Sequence, residues 1–298
     1  MITMKRRTFI KDMTVGGLML SVPSGLMAQE GAAPKLAQVT GEDPALITRE
    51  AVAILGGMAR FVSKGDKVLV KPNIGWDRTP QLGACTNPDV VKALVEMCFE
   101  AGAKEVKVMD NPCNPARRTY VRSGISQAAK DAGANVPYPN DHKLKKIPLN
   151  GQHLKEWEIY SDFVETDKII NVPATKHHSL SRVTLGMKNW LGACGGNRNQ
   201  LHQGLDFAMV DLAAFFNPTL TLLDAYRVLF RNGPQGGRLS DVKEHKTVVA
   251  GVDYVAIDAL GSTFLDVDPA ELPFLKIARE RGLGESDLEK LNIEKRTL

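Results

Sequence analysis

Apolar positions return along this chain with two different periods, and the switches between them outline the elements. Over 44–62, Ala51, Ile54, Leu55, Met58 and Phe61 recur at helical spacing, which predicts a helix. Gly65 and Asp66 then turn the chain into a short apolar strand over 67–70 that ends in Lys71, Pro72 and Asn73. Asn87 followed by Pro88 reads as a helix start, the asparagine capping and the proline in the first turn. Val90, Val91, Leu94, Val95 and Phe99 form that helix's inward face, and Gly102 stops it. A strand over 105–109 follows and ends at Asp110. Strand, helix and strand joined by short turns make a βαβ unit, which implies a parallel sheet.

A further helix over 121–132 stops at Gly133, and residues 135–164, rich in Pro, Lys and Asn, predict a small antiparallel insertion. Ile169, Ile170 and Val172 mark a buried strand that Pro173 should break, releasing a loop with Lys176, His177 and His178. A helix then ends near Lys188 and Asn189, before a glycine-rich turn over 192–196 around Cys194. The remaining pattern predicts a helix over 205–216, a buried strand over 220–223 closed by Asp224, and a glycine-rich loop over 233–237. A last strand over 246–250, a helix opened by Asp253, and short helices over 273–281 and 286–291 complete the chain. The expectation is a Rossmann-like α/β fold: a mostly parallel sheet with helices on both faces and one antiparallel insertion. It occupies a single domain over 44–298, with the small, polar residues 29–43 as a linker.

At 298 residues, 43% of them hydrophobic, the chain is long enough to bury a sizeable core. The formal charge of +4 is concentrated at the start, where Lys5, Arg6, Arg7 and Lys11 face only Asp12. Without residues 1–28 the balance falls to +1, too little for a phosphate-neutralising face, so nucleic acid is not an expected partner. The basic start, the apolar run over 13–22 and the small residues up to Ala28 read as an export signal. Arg6-Arg7-Thr8-Phe9-Ile10-Lys11 resembles the twin-arginine motif. That resemblance implies the twin-arginine translocation machinery as a partner, a periplasmic location, and folding before export, often around a metal or organic cofactor. No segment reaches the ~20 apolar residues that a spanning helix needs.

In an open parallel sheet, ligands bind beyond the carboxyl ends of the strands. The residues that follow the predicted strands are Lys71 with Asn73, Asp110, the pair Lys176 and His177, and Asp224. Lys71, Lys176 and Lys188 supply positive charge and Asn73 and Asn189 amide donors, a set suited to a small carboxylate or phosphate. Asp110 sits at the same rim, and the loop bounded by Gly233 and Gly237 offers backbone N–H groups. The expected catalytic groups are Lys176, His177 to move a proton, and Asp224 to orient or ligate. Adjacent histidines in an extended segment point opposite ways, so only one of His177 and His178 should face the site. Asp258, inside an apolar run, needs a partner for its carboxylate. Cys85, Cys113 and Cys194 fall in loops. Three thiolates there would hold a metal or iron–sulfur cluster; the alternatives are a disulfide or packing as small residues. Neither a Walker loop nor a dinucleotide fingerprint occurs, so ATP and NAD have no support.

The segments Val68-Leu69-Val70-Lys71-Pro72-Asn73, Asn171-Val172-Pro173-Ala174-Thr175-Lys176-His177 and Val183-Thr184-Leu185-Gly186-Met187-Lys188-Asn189 resemble, in this order, the family called domain of unknown function 362. Gly192, the loop from Gly233 to Gly237 and the stretch from Asp253 to Asp258 extend the likeness. The resemblance favours His177 over His178 as the site histidine. Some relatives carry an appended ferredoxin-like iron–sulfur segment, which this sequence lacks. The expected function is an exported enzyme acting on a small anionic ligand, with a metal or redox cofactor as one option. The rival readings are a metal- or cofactor-delivery protein and a maturation partner of an exported redox enzyme.

Overall fold

A computed structural model describes residues 35–298; the signal expected over 1–28 and the first part of the expected linker lie outside the described residues. The first half of the fold comprises β1 (Lys35–Thr40), α1 (Pro44–Ile54), β2 (Lys67–Pro72), α2 (Pro88–Glu100), β3 (Glu105–Val108), α3 (Ala116–Arg122), α4 (Ile125–Asp131), β4 (Leu144–Pro148) and β5 (Glu156–Tyr160). The second half comprises β6 (Lys168–Val172), β7 (Ala174–His178), β8 (Arg182–Thr184), α5 (Gly186–Asn189), α6 (Leu205–Phe216), β9 (Leu220–Leu229), β10 (Val242–Gly251), α7 (Tyr254–Thr263), α8 (Pro273–Glu280) and β11 (Asn292–Thr297).

Strand β2 lies between β3 and β6, parallel to both, and β6 is in turn parallel to β9. The sheet runs in the order β11-β1-β10-β9-β6-β2-β3. Successive side chains of a strand point to opposite faces, and each face here has its own core. Leu69 packs on one side with Val210 and Phe216 of α6, Ile257 of α7 and Leu275 of α8. Val68 and Val70 pack on the other with Ile47 of α1, Leu94 of α2 and Ile125 of α4. Trp190 stacks on Phe216 with centroids 4.4 Å apart and anchors the chain after α5 to the first of these cores. The mainly parallel sheet, the helices on both faces and the antiparallel β4–β5 hairpin agree with the sequence reading.

Four local expectations are corrected. The linker over 29–43 contains β1, which pairs antiparallel with β10 and parallel with β11. Both partners lie about two hundred residues or more away, and β11 is a polar, largely exposed edge strand, so neither strand carries the alternation that announces itself locally. The helix over 44–62 ends at Ile54, because Gly56 and Gly57 take φ of 100° and 84°. Met58 and Phe61 still reach the core, through a short 3₁₀ turn over Met58–Arg60. Pro173 does interrupt the ladder, but the chain resumes as β7 against β9, so Lys176, His177 and His178 lie in a strand and not in a loop. Likewise β9 runs through Asp224 to Leu229 instead of ending at it.

The hairpin is tied to the body by a carboxylate. Asp211 of α6 accepts from the backbone N–H groups of Gln152, His153 and Leu154 at 3.0, 2.7 and 2.8 Å and pairs with Arg281 at 2.7 Å. Removing one member of a buried ion pair leaves the other unpaired. Asp211→Ala should therefore lower unfolding free energy by about 3–5 kcal/mol, read from urea midpoints; a loss below ~1 kcal/mol would show that the tie is dispensable.

Candidate functional site

Three parallel strands, β2, β3 and β6, end side by side, and the groups just beyond them wall a cavity of about 260 Å³. Lys71, Asn73, Asp110, Lys176, Lys188 and Asn189 all line it, so the structure gathers these sequence-predicted residues from four separate segments.

Lys71 is completely buried, and its ammonium donates to Asp110 Oδ1 at 2.7 Å, Asn189 Oδ1 at 3.0 Å and the Pro72 carbonyl at 2.9 Å. Three protons meet three oxygens, so this lysine has no donor left for a ligand. Burial still pulls its pKa below the ordinary value, against the opposing pull of Asp110. The other oxygen of Asp110 accepts from the Ile74 N–H at 2.6 Å, which fixes the carboxylate. Gly192 is required beside this pair: a Cβ there would sit 1.8 Å from Asp110 Oδ1 and 2.7 Å from Lys71 Nζ.

From Lys71 a chain of amides runs to the second lysine. Asn189 Oδ1 also accepts from Asn73 Nδ2 at 3.1 Å, while Asn189 Nδ2 donates to Asn171 Oδ1 at 2.9 Å. Asn73 Oδ1 accepts from Lys176 Nζ at 3.0 Å, and Lys176 gives a second proton to the Ala84 carbonyl. One N–H of Lys176 remains. Burial lowers its pKa to about 8.

Lys188 differs from both. It is 8% exposed, and its Nζ has no hydrogen-bond partner among the described residues. Burial, helped by the charge of Lys176, lowers its pKa to about 8. Its short helix α5 is held by Asp258 of α7, whose two oxygens accept from the N–H groups of Gly186 at 2.6 Å and Met187 at 2.9 Å. These are the partners that the buried Asp258 required.

Several expected site residues lie elsewhere. His177 does not line the cavity; its Nδ1 accepts from the Gly233 N–H at 3.2 Å, and His178 faces the cavity instead. The period of two decides this, because Lys176 and His178 share one face of β7 and His177 occupies the other. Asp224 is not a cavity group: its oxygens accept from the N–H groups of Asn87 at 2.6 Å and Tyr226 at 2.9 Å, so it secures the start of α2. Gly233 and Gly237 do not line the cavity either. Gly233 packs on β7 so closely that a Cβ would lie 2.0 Å from the His177 carbonyl oxygen, and Pro234 is the residue of that loop that reaches the wall.

The three cysteines do not converge on a metal. Cys85 and Cys194 are buried with Sγ directed at the Trp76 and Trp190 carbonyls, at 3.2 and 3.7 Å, and only Cys113 is exposed and lines the cavity. Burial pushes the Cys194 thiol up to about 12, which keeps it protonated. All three are free, and no three His, Cys, Asp or Glu side chains group as a metal site among the described residues.

Arg198 and His202 also line the cavity and were not anticipated. Arg198 is pinned by donating to the Asn111 and Pro112 carbonyls at 2.7 and 2.8 Å. Its place just after the glycine-rich turn was the available signal.

The chain belongs to the family described as Domain of unknown function (DUF362), whose model matches residues 68–263. It is 28% identical over 244 residues to a thylakoid-associated protein of Synechocystis sp., a match covering 79% of this chain and 74% of that protein. Among solved structures, it is similar to the lactate racemase apoprotein from Thermoanaerobacterium thermosaccharolyticum at a TM-score of 0.46 and 9% identity. That alignment covers 79% of this chain but 57% of the racemase, so the chain spans little more than half of that protein's length.

Burial raises the pKa of Asp258 to about 7 from 3.8, despite its two N–H donors. The folded state thus holds a proton that the unfolded chain releases at lower pH. The resulting stabilisation is whole below the unfolded value and lost as pH rises through about 7. Unfolding free energy should fall between pH 5 and pH 8, and Asp258→Asn should flatten that fall. Equal pH dependence in the two proteins would contradict the assignment.

Proposed function

We propose that this DUF362 protein is an enzyme that binds a small carboxylate or phosphate in the cavity beyond β2, β3 and β6. The supporting observation is a charge imbalance that the described residues do not resolve. Four cations, Lys71, Lys176, Lys188 and Arg198, line the cavity against one carboxylate, Asp110, and that carboxylate is already spent on Lys71. Lys188 in particular is a buried donor without an acceptor among the described residues, and a bound anion supplies one. The volume of about 260 Å³ lies below the roughly 300–1,000 Å³ typical of drug-sized ligands, which favours a small molecule over a dinucleotide.

Each group then has a distinct task. Arg198 and Lys188 hold negative charge, Lys176 offers its remaining N–H, and Asn73 and Asn189 keep the lysines in place. Lys176, titrating near 8, is suited to holding or moving a proton at neutral pH. His178 is neutral, since burial lowers its pKa to about 3. Its Nδ1 accepts from the Leu180 N–H at 3.1 Å, which leaves Nε2–H as a donor. The Arg6-Arg7 motif supports export of the folded chain by the twin-arginine route, and hence a periplasmic site of action.

Calorimetry with inorganic phosphate and oxalate as probes tests the reading. Lys188→Met should weaken the tighter probe about ten- to a hundredfold, the loss of one charge-assisted contact. His177→Ala should leave affinity unchanged. Because Lys176 and Lys188 both titrate near 8, affinity should drop as pH rises from 7 to 9. Unaltered binding in Lys188→Met would remove the anion site from this cavity.

A further inference from the structure

We propose that Lys188 is a nucleophile that forms an imine with the carbonyl carbon of a small 2-oxo acid bound in this cavity. The inference rests on the anion-binding reading and names the substrate class for it. Three buried lysines share the cavity, and their hydrogen bonds separate their chemistry. Lys71 gives all three protons to fixed oxygens, and Lys176 gives two. An amine engaged in that way must break contacts before its lone pair is available. Lys188 has none to break.

Its surroundings favour the free base. Burial and the neighbouring charge of Lys176 both disfavour the ammonium, the combination that activates amine nucleophiles. With a pKa of about 8, about a tenth of the molecules carry the neutral amine at pH 7. Lys188 also sits on a single helical turn held by Asp258, so its backbone is positioned before any ligand arrives.

A second unsatisfied group points to the same ligand. Thr184 lines the cavity, and its buried hydroxyl has no hydrogen-bond partner among the described residues. Thr184 of β8 is the cross-strand partner of Lys176 in β7, so the two side chains share a face of the sheet. A hydroxyl and an ammonium N–H therefore stand together at the wall, as a carbonyl oxygen requires. The carboxylate of a 2-oxo acid, one bond away from that carbonyl, meets the cationic remainder of the cavity.

In the reaction, the Nζ lone pair of Lys188 forms a bond to the carbonyl carbon as the C=O π pair moves to oxygen. Lys176 protonates that oxygen, with Thr184 hydrogen-bonded to it, and the proton lost from Nζ passes to the now neutral Lys176 amine. Lys176 gives that proton to the new hydroxyl, which leaves as water while the nitrogen lone pair closes the C=N bond. One amine, one carbonyl and one proton from Lys176 give one protonated imine and one water, with no change of oxidation state.

Borohydride trapping on the full chain tests the proposal, with glyoxylate and pyruvate as probes and oxalate binding measured in parallel. The expected result is one reduced adduct per molecule, mapped to Lys188 by peptide mass spectrometry. Lys188→Arg, which keeps the charge, should abolish that adduct, and Lys176→Met should slow its formation at least tenfold. If oxalate binds but no adduct appears on Lys188, or if Lys188→Arg traps as well as the unsubstituted protein, the imine is overturned and the anion site stands. If oxalate does not bind, both readings fail together.

Discussion

An ammonium taken out of water carries a heavy desolvation cost that oxygens around its protons offset, and all three protons of Lys71 meet one. Its three acceptors come from β2 itself, from the second residue beyond β3 and from α5, so a single side chain fixes the relative positions of three segments. Asp110 is aligned by the Ile74 N–H, Asn189 is held through Asn171, and Gly192 provides the gap that the pair occupies. The polar layer that results is rigid because nearly every donor in it is committed.

That commitment grades the cavity's cations. Lys71 has no donor left and acts as part of the wall. Lys176, two-thirds committed, remains available to a ligand at one position. Lys188 is buried with no hydrogen-bond partner among the described residues and bears its desolvation alone. The three share a residue type, and the sequence reading placed Lys176 among the catalytic groups and all three among the anion-holding cations; what separates them in the fold is how many oxygens surround each nitrogen.

Much of the architecture was legible because it depends on local periodicity. The helix beginning at Asn87-Pro88 and the strands at β2, β3 and β6 appear where their patterns place them, and Asp253 caps α7 through the N–H groups of Val255 and Ala256. The misread strands differ from the helix that Gly56 and Gly57 cut short. Strand β1 and the edge strand β11 are defined by partners distant in the chain, and β7 follows a proline that reads locally as an exit from the sheet. Once β7 is a strand, alternation requires that His178 accompany Lys176 into the cavity; placing Lys176 and His177 together was consistent only with a loop.

The chain alone determined the layered α/β class and the convergence of strand ends, because buried strands and capped helices are written in spacings of two and of three to four residues. It also singled out Lys71, Lys176 and Lys188, which the fold brings to one cavity. Only the tertiary structure decided which of them is spent. It assigned Asp224 to the start of α2, sent Cys85 and Cys194 into the interior, and brought Arg198 and His202 to the rim. Those outcomes depend on which oxygens lie within about 3 Å of each polar atom, a property of the assembled fold that no local pattern encodes.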